Sequence, residues 1–81
     1  MNESETRERI FKILHRIAPE ANLDNFDARQ NLREALDIDS FDFLNVVIGI
    51  NEQFGVNIPE SDYRQVETLT GMVEYIKRKT G

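Results

Sequence analysis

Leu36-Asp37-Ile38-Asp39-Ser40-Phe41 is the stretch on which the reading of this chain turns. Upstream of it the sequence is polar and rich in turn formers. Downstream, apolar residues recur at helical spacing. A Ser at such a boundary is a natural helix N-cap, because its side-chain oxygen accepts a hydrogen bond from an unpartnered backbone N–H. The same boundary suits a phosphate group, since the first N–H groups and the positive end of the helix dipole point at it. The Ser40 hydroxyl is therefore expected at the surface, where it can carry a phosphoester without a clash.

Downstream of this stretch, a second helix is predicted from about Ser40 to Phe54. Phe41, Leu44, Val47 and Ile48 follow helical spacing, and so do Phe43, Val46, Val47, Ile50 and Phe54. Apolar over more than one face, this helix is either central in a bundle or presents part of its surface to a partner or cargo. Gly49 costs about 1 kcal/mol against Ala in a helix interior and marks a candidate close helix contact. Gly55 ends the helix as a C′ residue. Val56-Asn57-Ile58 reads as extended before Pro59. Pro59 at the first helical position, followed by Glu60 and Asp62, opens a short third helix through about Gln65. Thr68 or Thr70 caps a last helix with the stripe Leu69, Met72, Val73 and Ile76. Lys77, Arg78 and Lys79 suit its dipole, and Gly81 finishes the chain.

Upstream, a first helix is expected from about Ser4 to Ala18. Ile10, Ile13, Leu14, Ile17 and Ala18 form one apolar stripe, Arg7, Glu8, Lys12 and Arg16 take other faces, and Pro19 stops it. Residues 19–39 read as a long connection with turn formers Asn22, Asp24, Asn25, Asp27 and Asn31. Leu23, Phe26, Leu32 and Leu36 are expected to pin this loop to the helices rather than form an element of their own. Long tethered loops often carry function. The sum is an all-α fold: a small antiparallel four-helix bundle, three main helices and one short, with a long loop between helices 1 and 2. Residues 1–81 are expected to form a single domain.

Composition narrows the chemistry. Eighty-one residues bury only a modest core, with little room for a large enclosed active site beside it. The chain is 40% hydrophobic and 31% charged, the balance of a folded domain rather than a disordered one. A net charge of −5 disfavours nucleic acid and anionic membranes as partners and favours a partner with a basic docking surface. With no Cys there is no disulfide, no thiolate metal site and no protein thiol to hold a thioester. No apolar run approaches a signal h-region or a membrane span, so the expected location is the cytoplasm, without membrane insertion.

No catalytic residue emerges. A nucleophilic Ser needs a base, the only His is His15, and no G-x-S-x-G elbow surrounds Ser40. His15, between Leu14 and Arg16, reads as a partly exposed structural residue and cannot build a transition-metal site alone. Asp37, Asp39 and Asp42 resemble the start of a calcium loop, but that loop needs Gly at its sixth position and Glu at its twelfth. Those positions are Asp42 and Ile48 here, so no metal site is assigned. The four glycines are isolated and form no phosphate loop. Lys77-Arg78-Lys79 is a dipole-matched helix end rather than a nucleic-acid patch.

Taken together, these residues resemble the acyl carrier protein family, the phosphopantetheine-bearing domains of fatty-acid, polyketide and nonribosomal peptide systems. The Leu-Gly-x-Asp-Ser-Leu signature of that family reads Leu36-Asp37-Ile38-Asp39-Ser40-Phe41 here. The end of the second helix and the following Ile-Pro turn read Glu52-Gln53-Phe54-Gly55-Val56-Asn57-Ile58-Pro59, and the cap of the last helix reads Val66-Glu67-Thr68-Leu69-Thr70. The resemblance covers almost the whole chain. It implies that a phosphopantetheinyl transferase attaches 4′-phosphopantetheine from coenzyme A to Ser40. The arm brings the thiol this chain lacks and holds an acyl group as a thioester. Asp39 matches the family acid used in transferase and metal contacts. The chain itself is then no enzyme but a monomeric carrier. It delivers acyl intermediates to acyl-transferring or acyl-activating enzymes of fatty-acid, lipid or polyketide biosynthesis. The alternatives are an aminoacyl or peptidyl carrier, and a non-catalytic interaction subunit of carrier-like fold in which Ser40 is dispensable.

The departures from the family pattern point to a specialised member. Asp37 replaces a Gly, so the backbone there must do without Gly's freedom. Phe41 replaces the usual Leu. The second helix of bacterial fatty-acid carriers docks partners through several Glu. Here that face reads Asn45, Asn51 and Gln53, with only Asp42 and Glu52 acidic, so electrostatic docking is expected to be weaker. The candidate docking residues are Phe41, Asp42, Leu44, Asn45, Ile48 and Glu52, with Val47 reading equally as contact or core. Tyr63 sits where relatives often have a small residue near the acyl pocket. The candidate pocket residues are Phe43, Val46, Ile50, Phe54, Ile58, Tyr63 and Val66.

Overall fold

The computed structural model describes residues 2–23 and 26–80; the predicted turn positions Asp24 and Asn25 and the terminal Gly81 lie outside them. Helix α1 spans Glu3–Ile17. Its N-cap is Asn2, whose side chain accepts the Glu5 N–H at 2.8 Å, with Glu3 and Glu5 at the positive end of the dipole. A short α2 spans Leu32–Ala35, α3 spans Ser40–Phe54, a 3₁₀ helix spans Glu60–Val66, and α4 spans Leu69–Thr80. The fold is the helical bundle expected, and no β-strand occurs among the described residues.

Two elements differ from the sequence reading. The connection contains α2, which Leu32 and Leu36 anchor by burying completely or nearly so. Its cap is Asn31, whose Oδ1 accepts the N–H groups of Arg33 and Glu34 at 2.9 and 3.3 Å. The expected short third helix winds as a 3₁₀ helix, with Pro59 in extended geometry at its cap (ψ 155°) rather than at its first helical position. Short tight helices of this kind serve as connectors.

Helices α1 and α3 run antiparallel. Arg9 Nη1 donates to the Gln53 carbonyl, Ile13 lies against Gly49, and Ile17 borders the groove of Asp42 and Asn45. A Cβ on Gly49 would stand 2.8 Å from Ile13 Cγ2, so the Gly is what allows the close approach. Helix α1 also packs on α4, and α4 on the 3₁₀ helix. One core joins Ile10, Ile13 and Leu14 with residues of every other element. Gly55, at φ 68°, closes α3 in the left-handed conformation open to Gly, with its N–H on the Asn51 carbonyl. Thr68, not Thr70, caps α4, its Oγ1 accepting the Gly71 N–H at 3.0 Å.

Tyr75 is buried, and its hydroxyl donates to Asp62 Oδ2 at 2.7 Å, tying α4 to the 3₁₀ helix. Burial, then the hydrogen bond and charge of Asp62, raise its pKa, against a smaller opposing effect of Arg78.

Candidate functional site

Ser40 is the first residue of α3, one position past the cap. The cap is Asp39, extended at φ −91° and ψ −176°, whose Oδ1 accepts the Asp42 N–H at 2.9 Å. This corrects the expectation that Ser40 itself caps the helix. The chain is still extended at Asp39 and already helical at Ser40, so only the Asp39 side chain points back at the orphan N–H groups. The consequence is chemical. A capping hydroxyl would be engaged with the backbone, whereas Ser40 is exposed at the helix start.

The approach to Ser40 is fixed by how α2 ends. The Leu36 N–H donates to Leu32 O and the Ile38 N–H to Arg33 O, both at 3.0 Å. The second closes a six-residue Schellman-type turn whose penultimate residue must be left-handed. That residue is Asp37, at φ 53°, the one positive-φ non-Gly residue described. Asp tolerates this region better than most residues but less well than Gly. Ile38 then packs half-buried against the core, which anchors the loop one residue before the cap.

Around Ser40 lies a cavity of about 220 Å³, lined by Asn31, Arg33, Phe43, Glu60, Tyr63, Glu67 and Ser40 itself. Its walls come from four places in the sequence. An isolated antiparallel bridge between Asn31 and Thr68 holds the α2 side to the start of α4, as do hydrogen bonds from Leu32 N to Glu67 O (2.7 Å) and Thr70 N to Ala28 O (3.0 Å). Phe43 and Tyr63 meet edge to face, ring centroids 5.7 Å apart and 74° between planes. Of the candidate pocket residues, the structure thus brings Phe43 and Tyr63 to Ser40. Val46, Ile50, Ile58 and Val66 are buried in the core, and Phe54 is half-buried against it. Asn31, Glu60 and Glu67 were read from sequence only as turn, helix-start and cap-segment residues and Arg33 not at all; none was expected beside Ser40. For Asn31 a signal existed in Glu34 three residues on, the pattern of a capping box. The other three had none: Arg33 stands seven residues before Ser40 and Glu60 and Glu67 twenty or more after it, and no spacing pattern links them to it.

The candidate docking residues fall on one side of α3. Phe41, Leu44 and Ile48 are 69%, 42% and 47% exposed, unusual for large apolar side chains three and four positions apart on one helix face. Asp42 and Asn45 are half-buried and Glu52 is exposed; with Ile48 they share a groove with Arg16 and Ile17 of α1. Val47 is 7% exposed and belongs to the core, which decides its two readings. His15 is exposed. Among the described residues no group of three or more His, Cys, Asp or Glu gathers as a metal site, and no helix is long and apolar enough to cross a membrane.

Residues 8–76 match the sequence family described as the phosphopantetheine attachment site. The chain is similar to the acyl carrier protein of Lactobacillus johnsonii, 36% identical over 75 residues that cover 89% of this chain and 94% of the relative. It is also similar to the acyl carrier protein of Lactobacillus acidophilus, 32% identical over 79 residues, 94% and 99% of the two chains. That of Kineococcus radiotolerans is 33% identical over 58 residues, 72% of each.

Proposed function

The chain belongs to the acyl carrier protein family, and from that premise we propose that Ser40 is the residue that carries its prosthetic group. The protein is a non-catalytic carrier of acyl groups on covalently attached 4′-phosphopantetheine, and it serves acyl-handling enzymes. The observation that carries the assignment to Ser40 is the position of its hydroxyl, exposed at the first turn of a fifteen-residue helix whose cap is supplied by its neighbour.

The residues present fit the group. The first-turn N–H groups of α3 that Asp39 leaves unpartnered, and the positive helix end, favour a phosphodiester beside Ser40. The hydroxyl opens onto a cavity rather than into packed core. When bound, the arm supplies the thiol on which an acyl group is held as a thioester, a group that a chain without Cys cannot itself offer. In the attachment step the Ser40 oxygen attacks the phosphorus that bears the pantetheine of coenzyme A. The hydroxyl proton goes to a base of the phosphopantetheinyl transferase, and 3′,5′-ADP leaves. Asp39 presents Ser40 by capping α3, and the resemblance to the family assigns its carboxylate a part in transferase and cation contacts.

Partners dock on the Phe41, Leu44 and Ile48 stripe, with Asp42, Asn45 and Glu52 setting its polar edge. Arg16 in the same groove offsets part of the acidic charge, which supports contact that is more apolar than electrostatic.

The test is intact-protein mass after incubation with coenzyme A, Mg²⁺ and a broad-specificity phosphopantetheinyl transferase. The expected result is a gain of one phosphopantetheine, lost in Ser40→Ala while the helical circular dichroism is retained. A gain that persists in Ser40→Ala would refute the assignment.

A further inference from the structure

We propose that Tyr63 restricts what the carrier can shelter: the cavity beside Ser40 accepts a short acyl group bearing hydrogen-bonding substituents and excludes a long alkyl chain. This rests on the carrier reading above. Ser40 itself lines the 220 Å³ cavity, so an arm attached there can fold its acyl end back into it. Its rim carries Arg33, Glu60 and Glu67, all exposed, and half-buried Asn31. At this rim a hydroxyl, carbonyl or amino substituent finds donors and acceptors of both kinds, and the apolar part of the lining is left to the Phe43 and Tyr63 rings.

Beyond the rim the way is shut. The Phe43 and Tyr63 rings close the cavity edge to face. Val46 and Ile50 follow Phe43 by one and two turns on α3, and Val66 follows Tyr63 by one turn of the 3₁₀ helix, where residues three apart eclipse. All three are fully buried at 0% exposure. A core at this density admits a chain only by displacing side chains, and the first to be displaced is Tyr63, which is half-buried and hence the more movable of the two rings.

The experiment loads the apo-protein with 3-hydroxybutyryl- or decanoyl-coenzyme A through the transferase, verifies loading by intact mass, and follows ¹³C-methyl spectra of Val46, Ile50 and Val66 with the aromatic spectra of Phe43 and Tyr63. In the wild type the 3-hydroxybutyryl group shifts the two rings, and the decanoyl group leaves the three methyl sets where the bare pantetheine arm leaves them. In Tyr63→Ala the decanoyl group moves the methyl sets. Tyr63→Phe, which keeps the ring, behaves as the wild type towards decanoyl. Decanoyl-induced methyl shifts in the wild type, or none in a folded Tyr63→Ala, overturn the proposal. The wild-type arm decides by itself if Tyr63→Ala does not fold. Absence of any transferase-dependent mass gain is a different failure, of the carrier reading, and the proposal falls with it.

Discussion

Replacing Gly49 by Ala sets two effects of known size against each other at the α1–α3 contact. In a helix interior Ala is favoured over Gly by about 0.8–1.0 kcal/mol, so on propensity alone Gly49→Ala should stabilise. The structure predicts the opposite. The new methyl would lie 2.8 Å from Ile13 Cγ2 and 3.3 Å from Cγ1. Ile13 is 1% exposed, and as a β-branched residue in a helix it has essentially one χ1 rotamer, so its γ carbons cannot swing aside. Relief requires α1 and α3 to move apart, an overpacking cost of about 1–3 kcal/mol. The net expectation is a loss of about 1 kcal/mol, or roughly 4–8 °C in Tm for a domain of this size. Urea titration followed by circular dichroism measures it, with a double-mutant cycle to assign the cause. Ile13→Val keeps both γ carbons, so Gly49→Ala should still destabilise in that background. Ile13→Leu removes the β-branch and Cγ2, so there Gly49→Ala should become neutral or stabilising, with a coupling of about 0.5–3 kcal/mol. A stabilising Gly49→Ala in the wild type, or equal effects in the Ile13→Val and Ile13→Leu backgrounds, would refute the argument that Ile13 dictates the Gly.

Two further outcomes follow from single sites. Asp37→Gly should raise stability by about 0.5 kcal/mol in the same titration: relief of the left-handed conformation at φ 53° exceeds the added entropy of Gly in the unfolded chain. A decrease would mean that the Asp37 side chain contributes more than its backbone geometry costs. Tyr75 should make stability fall at high pH. Its folded pKa lies above the ordinary 10.0, so below pH 10 both states keep the proton and its contribution is whole. As pH rises from there through the folded value, the unfolded chain ionises first and stability drops. Tyr75→Phe should flatten the part of the alkaline decline due to this group, while losing about 1–3 kcal/mol at neutral pH from the hydrogen bond to Asp62; an unchanged alkaline slope would contradict this.

The periodic elements were legible because their signals are local. The stripe of α1, the bounds of α3 at Ser40 and Phe54, and the Gly55 terminator each depend on residues within a turn or two of one another. The cavity was legible only in part. Phe43 and Tyr63 were named from the resemblance, whereas Arg33 and Glu60 come to Ser40 on α2 and the 3₁₀ helix, and Glu67 beside the Asn31–Thr68 bridge. Backbone pairing across nearly forty positions leaves no periodicity to read. Helix α2 escaped because four residues are too few to show a period, although its cap pair Asn31 and Glu34 was in view.

By itself the sequence determined the helical class, the order and approximate bounds of the main helices, and the family to which the Asp39-Ser40 pair belongs. These follow from contacts between near neighbours in the chain and from a signature of adjacent residues. The tertiary structure decided that Asp39 and not Ser40 caps α3, that Val47 is core while Phe41, Leu44 and Ile48 face outward, and that Tyr63 closes on Phe43 beside the Ser40 cavity. An apolar helix carries no internal mark of which of its faces will be covered; that depends on where α1 and the 3₁₀ helix come to rest against it.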